Sequence, residues 1–394
     1  CVHFARADAL KGSLKLTLGA VRPTIFFGVP RVWEKFEEAI RAIGAQSTGL
    51  KKKLSTWAKG VALRRYRALS AAASADERGA RAGALEEALA LKLLGKVHAA
   101  IGLDRAHFTF TGAAPIAPST LGYFGSLGLT VHEVFGMSEG SGPSNVTIAQ
   151  CYAPGYCGPA LPGVELKLER VEGRDKPGEG EVCFRGRSVM MGYLHDAEKS
   201  KETIDADGWL HSGDTGRLDV VRPGLAPMLK ITGSIKELLI TGGGENVAPV
   251  PIEDALCLSR FIAQAIVNGA DRPHNIALLV PDWEQVGAWA KEHLGVDAPC
   301  ALVAPFEYGP PEHVAALAAL PELETLLEGE VASMCASIKR YEVPKAWHVL
   351  EQGFCASRGM LTPKLSIKRP VVLKEYAAEM AALYSDGAGL AQAA

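Results

Sequence analysis

A chain of 394 residues, 48% hydrophobic and 22% charged, has room for one large domain and a smaller one, and its composition is that of an ordinary globular protein. Its net charge of −2 leaves no global field to attract nucleic acid, and no apolar run approaches the roughly 18 residues that a membrane-spanning helix needs. The eight cysteines form no C-x-x-C pair and no zinc-like Cys/His spacing, so they read as reduced thiols in a reducing, intracellular compartment, cytoplasmic or at the surface of an organelle.

The chain begins at Cys1 with no basic segment and apolar core of a leader, and it reads as lacking an N-terminal part. Residues 24–29, an apolar run with β-branched and aromatic side chains between Pro23 and Pro30, predict a buried strand. From Arg31 the period changes: Val32, Phe36, Ile40 and Ile43 fall on one helical face. Residues 51–102 predict two or three helices around a loop at 74–83, and 84–103 reads as an amphipathic core helix. The run Lys51-Lys-Lys53 is expected to be a solvated helix face, with peripheral contact to anionic lipid as the alternative.

Residues 108–111 predict a strand, 116–127 a helix and 130–135 a second strand. Strands alternating with helices imply a parallel sheet, whose ligands sit at the carboxyl ends of the strands. Between 158 and 220 the pattern turns to alternation. The stretches 164–170 and 181–187 flank a turn-rich segment, which predicts antiparallel hairpins. The last part, 237–394, mixes short strands with helices, and its tail after Ser385 is expected to fray.

Three loops carry chemistry. Thr111-Gly-Ala-Ala-Pro115 ends the first of these strands and Phe135-Gly-Met-Ser-Glu139 ends the second. Asp207-Gly-Trp-Leu-His-Ser-Gly-Asp-Thr-Gly216 places Asp214 in a tight glycine-containing loop, where a carboxylate can accept from two vicinal hydroxyls such as those of a ribose; a turn-capping aspartate is the plainer reading. Further on stand Gly242-Gly-Gly-Glu-Asn246, with Pro249-Val-Pro-Ile-Glu253 behind it, and Leu361-Thr-Pro-Lys-Leu-Ser-Ile-Lys-Arg-Pro370.

In this order the motifs resemble the adenylate-forming superfamily of acyl-CoA synthetases, luciferases and peptide-synthetase adenylation domains, and within it the long-chain acyl-CoA synthetases of the bubblegum type. The resemblance implies an α/β fold. Residues 1–235 would be the later portion of a large AMP-binding domain, with parallel sheets, helices and a β-subdomain, and 236–394 a small mobile α+β C-terminal domain hinged near Lys236. It implies an acid–thiol ligase whose substrates are a fatty acid, ATP and coenzyme A, with Mg²⁺ as cofactor.

On this resemblance Gly112, Ala113, Ala114, Phe135, Gly136, Met137, Ser138 and Asp214 are the AMP/ATP-binding residues. Small side chains let backbone approach the adenine, the Phe135 ring covers it, Ser138 donates to phosphate and Glu139 offers Mg²⁺ a hard oxygen. Gly242, Gly243 and Gly244 correspond to the loop passing the pantetheine arm of CoA, although a triglycine also suits a flexible hairpin turn.

The chain departs from the family at three places. Ser234 stands where an arginine is usual, and a neutral hydroxyl cannot replace a bidentate cation. Ser366 stands at the position of the adenylation lysine, with Lys364 and Lys368 two residues to either side. In an extended segment all three share a face, and two residues span roughly 6.6 Å, so either lysine is a candidate catalytic cation. No stretch matches the family's upstream phosphate loop. Two other readings stand beside the ligase: a catalytically impaired AMP- or CoA-binding relative or scaffold, and an enzyme for aryl or medium-chain acids.

Overall fold

The computed structural model describes residues 1–6, 13–45, 47–172, 174–243, 245–304, 306–336, 338–362 and 367–385. The chain divides into two units, Cys1–Thr232 and Gly233–Ala394. In the first, the helix α1 (Ser13–Val21) precedes a sheet of β1 (Ile25–Phe27), β2 (Phe108–Gly112), β3 (Val131–Met137) and β4 (Gly142–Val146), in that spatial order. The first three strands are parallel because helices return the chain between them: α2 (Pro30–Ala45), α3 (Gly49–Leu69), α4 (Ala75–Gly79) and α5 (Ala84–Ala100) before β2, and α6 (Pro118–Ser126) before β3. The reversal from β3 to β4 is a tight antiparallel turn.

The strand at 24–29 is shorter than expected and only half buried. β1 is an edge strand, so period-two alternation sends Phe26 into the core and leaves Ile25 and Phe27 61% and 55% exposed. Trp33, fully buried at the start of α2, packs edge-on against Phe26 and Phe124. Its indole N–H points at the carbonyls of Gly28 (3.1 Å) and Phe110 (3.2 Å), tying helix to sheet. Val32, Phe36 and Ile40 pack on this core as their period requires, whereas Ile43 lies beyond it and is exposed. The loop expected at 74–83 contains the single turn α4, started by a reciprocal Ser74–Glu77 capping box. Helix α6 begins two residues later than its apolar pattern because Pro118 occupies its first position.

The alternating segment forms a second sheet of β5 (Val164–Glu169), β6 (Glu179–Gly186), β7 (Leu210–Asp219) and β8 (Met228–Ser234), with α7 (Ala197–Thr203) between β6 and β7. β5, β6 and β7 are antiparallel neighbours, as the hairpin pattern implies.

In the second unit, β9 (Leu239–Ile240) and β10 (Asn246–Val247) form a small hairpin before α8 (Pro249–Leu256). Then follow β11 (Ile262–Asn268), β12 (Ile276–Pro281), α9 (Trp283–Leu294), β13 (Ala301–Ala304), β14 (Glu307–Gly309), α10 (Pro311–Ala318), α11 (Pro321–Met334), β15 (Ala346–Val349), α12 (Arg369–Glu375) and α13 (Ala377–Ser385). β12 is central, antiparallel to β11 and parallel to β15. Ala277 and Leu279 enter one core cluster and Ile276, Leu278 and Val280 the other. Burial on both faces explains why this strand is apolar without alternation. Among the described residues no helix is long and apolar enough to cross a membrane.

Candidate functional site

The carboxyl ends of β2 and β3 lie side by side. Thr111 pairs with Glu133 and Gly112 with Val134, so Gly112, Ala113 and Ala114 leave the sheet next to Phe135. A Cβ on Gly112 would sit 2.9 Å from the Val134 carbonyl oxygen, so this position needs glycine. Ala113 then adopts a left-handed φ of 71°, a conformation that costs a non-glycine residue about 1–2 kcal/mol. Both alanines are exposed. The hydroxyl of Thr111, the residue before Gly112, is buried and has no hydrogen-bond partner among the described residues.

Phe135 and Met137 are half-buried, and Gly136 and Ser138 are exposed. The β3–β4 pairing slips at Phe135/Gly136, and a Cβ on Gly136 would fall 2.6 Å from the Cα of Pro143 and closer still to the carbonyl oxygen of Gly142. Ser138–Gly140 forms one 3₁₀ turn, and Ser141 leaves it with φ of 58°. The connection after β6 clamps this turn. Tyr193 donates its hydroxyl proton to Glu139 Oε1 at 2.7 Å, Met190 N–H reaches the Glu139 carbonyl at 2.7 Å, and Ser141 Oγ donates to the Ser188 carbonyl at 2.7 Å. Gly140 rests on the ring of Phe184, where a Cβ would lie 2.6 Å from it. Glu139 and Tyr193 are 54 positions apart, and no local pattern marks the tyrosine.

Asp214 is not in a loop. It lies within β7, at a bulge: Thr215 pairs with Glu181 and His211 with Cys183, so three residues of β7, Ser212 to Asp214, face the single Val182 of β6. Gly213 makes the bulge with φ of 74°, and no atom lies within 4 Å of a Cβ built there, so conformation rather than space calls for glycine. Gly213 N–H donates to Glu181 Oε1 at 2.9 Å and Asp214 N–H to Ser212 Oγ at 3.1 Å. The half-buried Asp214 is on the second sheet, whereas Phe135 and Gly112 are on the first. The Glu139 turn joins the two sheets.

The first half of β3 carries a buried polar layer that sequence patterns do not reveal. Burial pushes the Glu133 carboxyl up to about 8, against the opposing influence of the Gly155 N–H, which donates to it at 2.6 Å, and of Lys230. Burial lowers His132 to about 4, keeping it neutral. The hydroxyls of Tyr66 and Tyr152 meet at 2.7 Å. A further group on the second sheet brings Glu169, Cys183 and His211 within 4.8 Å of one another. Spacing along the chain misses it because three strands contribute. Lys167 already pairs with Glu169 at 2.9 Å, and burial holds the Cys183 thiol at about 12, so the group is satisfied as hydrogen bonds and an ion pair.

In the second unit, Lys236 lies in the 3₁₀ turn Ile235–Glu237 that follows β8. Gly242 and Gly243 turn the β9–β10 hairpin, closed by Thr241 N–H to the Glu245 carbonyl at 3.0 Å; Gly244 is outside the described residues. Lys368 is exposed at the N-cap of α12, and Lys364 and Ser366 are outside the described residues. Missed from sequence was a buried ion pair: Arg369 reaches both oxygens of Glu253 at 2.7 Å and donates to the Val267 carbonyl at 2.8 Å. Glu253 also accepts from Val267 N–H at 2.6 Å.

The fold is that of the adenylate-forming enzymes. The structure matches the adenylation domain of the carboxylate reductase from Mycobacterium chelonae with a TM-score of 0.63, at 21% identity, over 97% of this chain and 50% of that one. Two profiles, for the AMP-binding enzyme and for the AMP-binding enzyme C-terminal domain, match residues 1–194 and 236–300, and the chain belongs to this family of AMP-binding enzymes. It is 37% identical to the long-chain-fatty-acid–CoA ligase ACSBG2 of Xenopus laevis over 98% of its length and 39% identical to that of Gallus gallus over 98%. The chain spans about half of these relatives, 51% and 49% of their lengths.

Proposed function

We propose that this chain is the later part of an ATP-dependent long-chain fatty acid–CoA ligase. The observation that carries the proposal is the β2–β3 register, which sets Gly112, Ala113 and Ala114 beside Phe135 at neighbouring strand ends. The names of the relatives support the acid and the thiol, and the orphaned Thr111 hydroxyl is consistent with a polar ligand beside these strand ends. The large domain would end near residue 235, and residues 236–394 would swing as the small domain about Lys236 between the two half-reactions.

In the first half-reaction a fatty-acid carboxylate attacks the α-phosphate of ATP and releases pyrophosphate. In the second, the CoA thiol attacks the acyl-adenylate and releases AMP. The first nucleophile is already ionised and the second acceptor is activated, so the protein's work is positioning and neutralising charge. The Phe135 ring and the Gly112–Ala114 backbone would enclose the adenine, Ser138 would donate to phosphate and Asp214 would hold the ribose hydroxyls. Gly242 to Gly244 would pass the pantetheine arm, and Lys364 or Lys368 would meet the charge of the first transition state. Glu139, steadied by Tyr193, suits Mg²⁺, which takes one or two protein carboxylates and keeps its waters. When bound, the metal neutralises phosphate charge.

The test is fatty-acid-dependent pyrophosphate release by the chain joined to the upstream half that its longer relatives possess. Turnover with long-chain acids is expected. A folded full-length protein inactive with every chain length would contradict the proposal. Ser234 and Ser366 favour one second reading, a relative that binds AMP or CoA without turnover. It predicts binding alone, with activity appearing in the Ser234→Arg, Ser366→Lys double variant.

A further inference from the structure

Helix α3 carries one apolar stripe along its length, and the core covers only part of it. Ala58, Val61, Ala62 and Tyr66 are buried. Leu50, Leu54 and Trp57, one and two turns earlier on the same stripe, are 73%, 44% and 40% exposed. Ile43, near the end of α2, adds a fourth large apolar side chain, 65% exposed, just before the helix begins.

The charge on this helix has one sign. Between Gly49 and Leu69 there are seven lysines and arginines and no acidic residue. Arg64 and Arg65 are answered from α5, by Glu86 at 3.3 Å and Glu87 at 3.6 Å. Lys51, Lys52 and Lys53 are exposed, and none makes an ion pair with the described residues. At 100° per residue, Lys51 and Lys53 fall on the two flanks of the Leu50–Leu54–Trp57 stripe.

A bare apolar stripe can be covered by another protein surface or by lipid, and the lysines distinguish these. Cores of protein interfaces are depleted of lysine. An anionic bilayer surface accepts aliphatic and indole groups at the headgroup boundary while lysine stems reach up to the phosphates. We infer that the first two turns of α3 dock the protein on the surface of an anionic phospholipid membrane, with Leu50, Leu54 and Trp57 inserted and Lys51 and Lys53 on the headgroups. The inference goes beyond the ligase reading and needs none of its site residues, so each can fail alone. Sequence alone favoured a solvated face for Lys51–Lys53; the exposed apolar neighbours change that balance.

The experiment is co-sedimentation of the chain, alone and joined to the upstream half that its longer relatives possess, with vesicles of phosphatidylcholine, with and without phosphatidylserine. Binding is expected to the serine-containing vesicles only, and to fall as salt rises. The Lys51→Gln, Lys53→Gln variant should partition roughly 30-fold more weakly, at about fivefold per lysine, and Leu54→Ala with Trp57→Ala should weaken it further. These side chains are exposed, and circular dichroism checks that each variant is folded. Bromine-labelled lipid should also quench wild-type fluorescence, with the quenching reduced in Trp57→Phe. Equal binding to both vesicles, no binding, or variants that bind as the wild type does would each overturn the inference. So would vesicle binding by the chain alone that is lost in the joined protein, because the upstream half would then cover the stripe, or a concentration-dependent dimer that the same substitutions abolish, because a second copy of the chain would then be the occupant.

Discussion

Two glycine turns carry the proposed ligand contacts, and glycine does different work in each. At the end of β3, leading into the β3–β4 turn, Gly136 is a packing requirement, because its Cα faces the backbone of Gly142 and Pro143 with no room for a methyl group. In the β9–β10 hairpin, a Cβ on Gly243 would meet nothing nearer than Thr241 Oγ1 at 3.8 Å. The first turn is fixed by close approach and by the Tyr193, Met190 and Ser188 clamp. The second is open at Gly243, whereas Gly242 is held against Arg272, whose carbonyl accepts its N–H at 2.8 Å and would lie 3.3 Å from a Cβ there. The same residue thus marks a rigid wall in one place and clearance in the other.

That contrast can be broken or sharpened. Gly136→Ala should be the most damaging, about 3 kcal/mol or more, since backbone rather than a movable side chain blocks the methyl; urea denaturation measures it, and a neutral result would dissolve the contrast. Arg369→Ala should cost a similar amount, about 3–5 kcal/mol, because it strands the buried Glu253 carboxylate in the other unit. Thermal and chemical melts of that variant check the value.

Glu133→Gln should act through pH. The folded carboxyl titrates near 8, whereas an unfolded one titrates near ~4.3, so between those values the native state holds a proton that the unfolded state has lost. Stability then falls as pH rises through that window, by about 1.4 kcal/mol per unit at most, and this contribution is complete below it. The glutamine variant should lose the slope and be the more stable protein at pH 8. Parallel slopes for the two proteins would show that Glu133 does not titrate there. Smallest is Gly243→Ala, within about 1 kcal/mol of wild type and, if anything, stabilising through the unfolded chain. A marked loss of CoA affinity in that stable variant would assign the clearance to the ligand.

Elements whose signal is local could be read from the sequence. The apolar runs of β2 and β3, the helical period of α2 and the alternation of β5 and β6 all emerged where expected, because each needs only its own residues. β1 reads as buried because an apolar run does not show that only one face of the strand is covered, Phe26 entering the core while Ile25 and Phe27 stay exposed. Asp214 looked like a loop residue because the glycines around it signal a turn. Only the partner strand shows that these residues are a bulge, three against one. The motif loops of the candidate site were found by residue type, but their supports were not. Tyr193 under Glu139, Gly155 on Glu133 and Arg369 on Glu253 join positions 22 to 116 apart, and no local period encodes such pairs.

The central claim is that residues from two sheets grip one adenylate, with Asp214 on its sugar. Calorimetric titration of the chain with a non-hydrolysable long-chain acyl-sulfamoyl adenosine tests it most directly, comparing wild type with Asp214→Ala. Binding that weakens roughly 10- to 150-fold in the variant is expected, the worth of hydrogen bonds to a charged group. The penalty should vanish when the ligand lacks both ribose hydroxyls. Equal affinity for the two proteins, or a penalty that persists with the dideoxy ligand, would contradict the account.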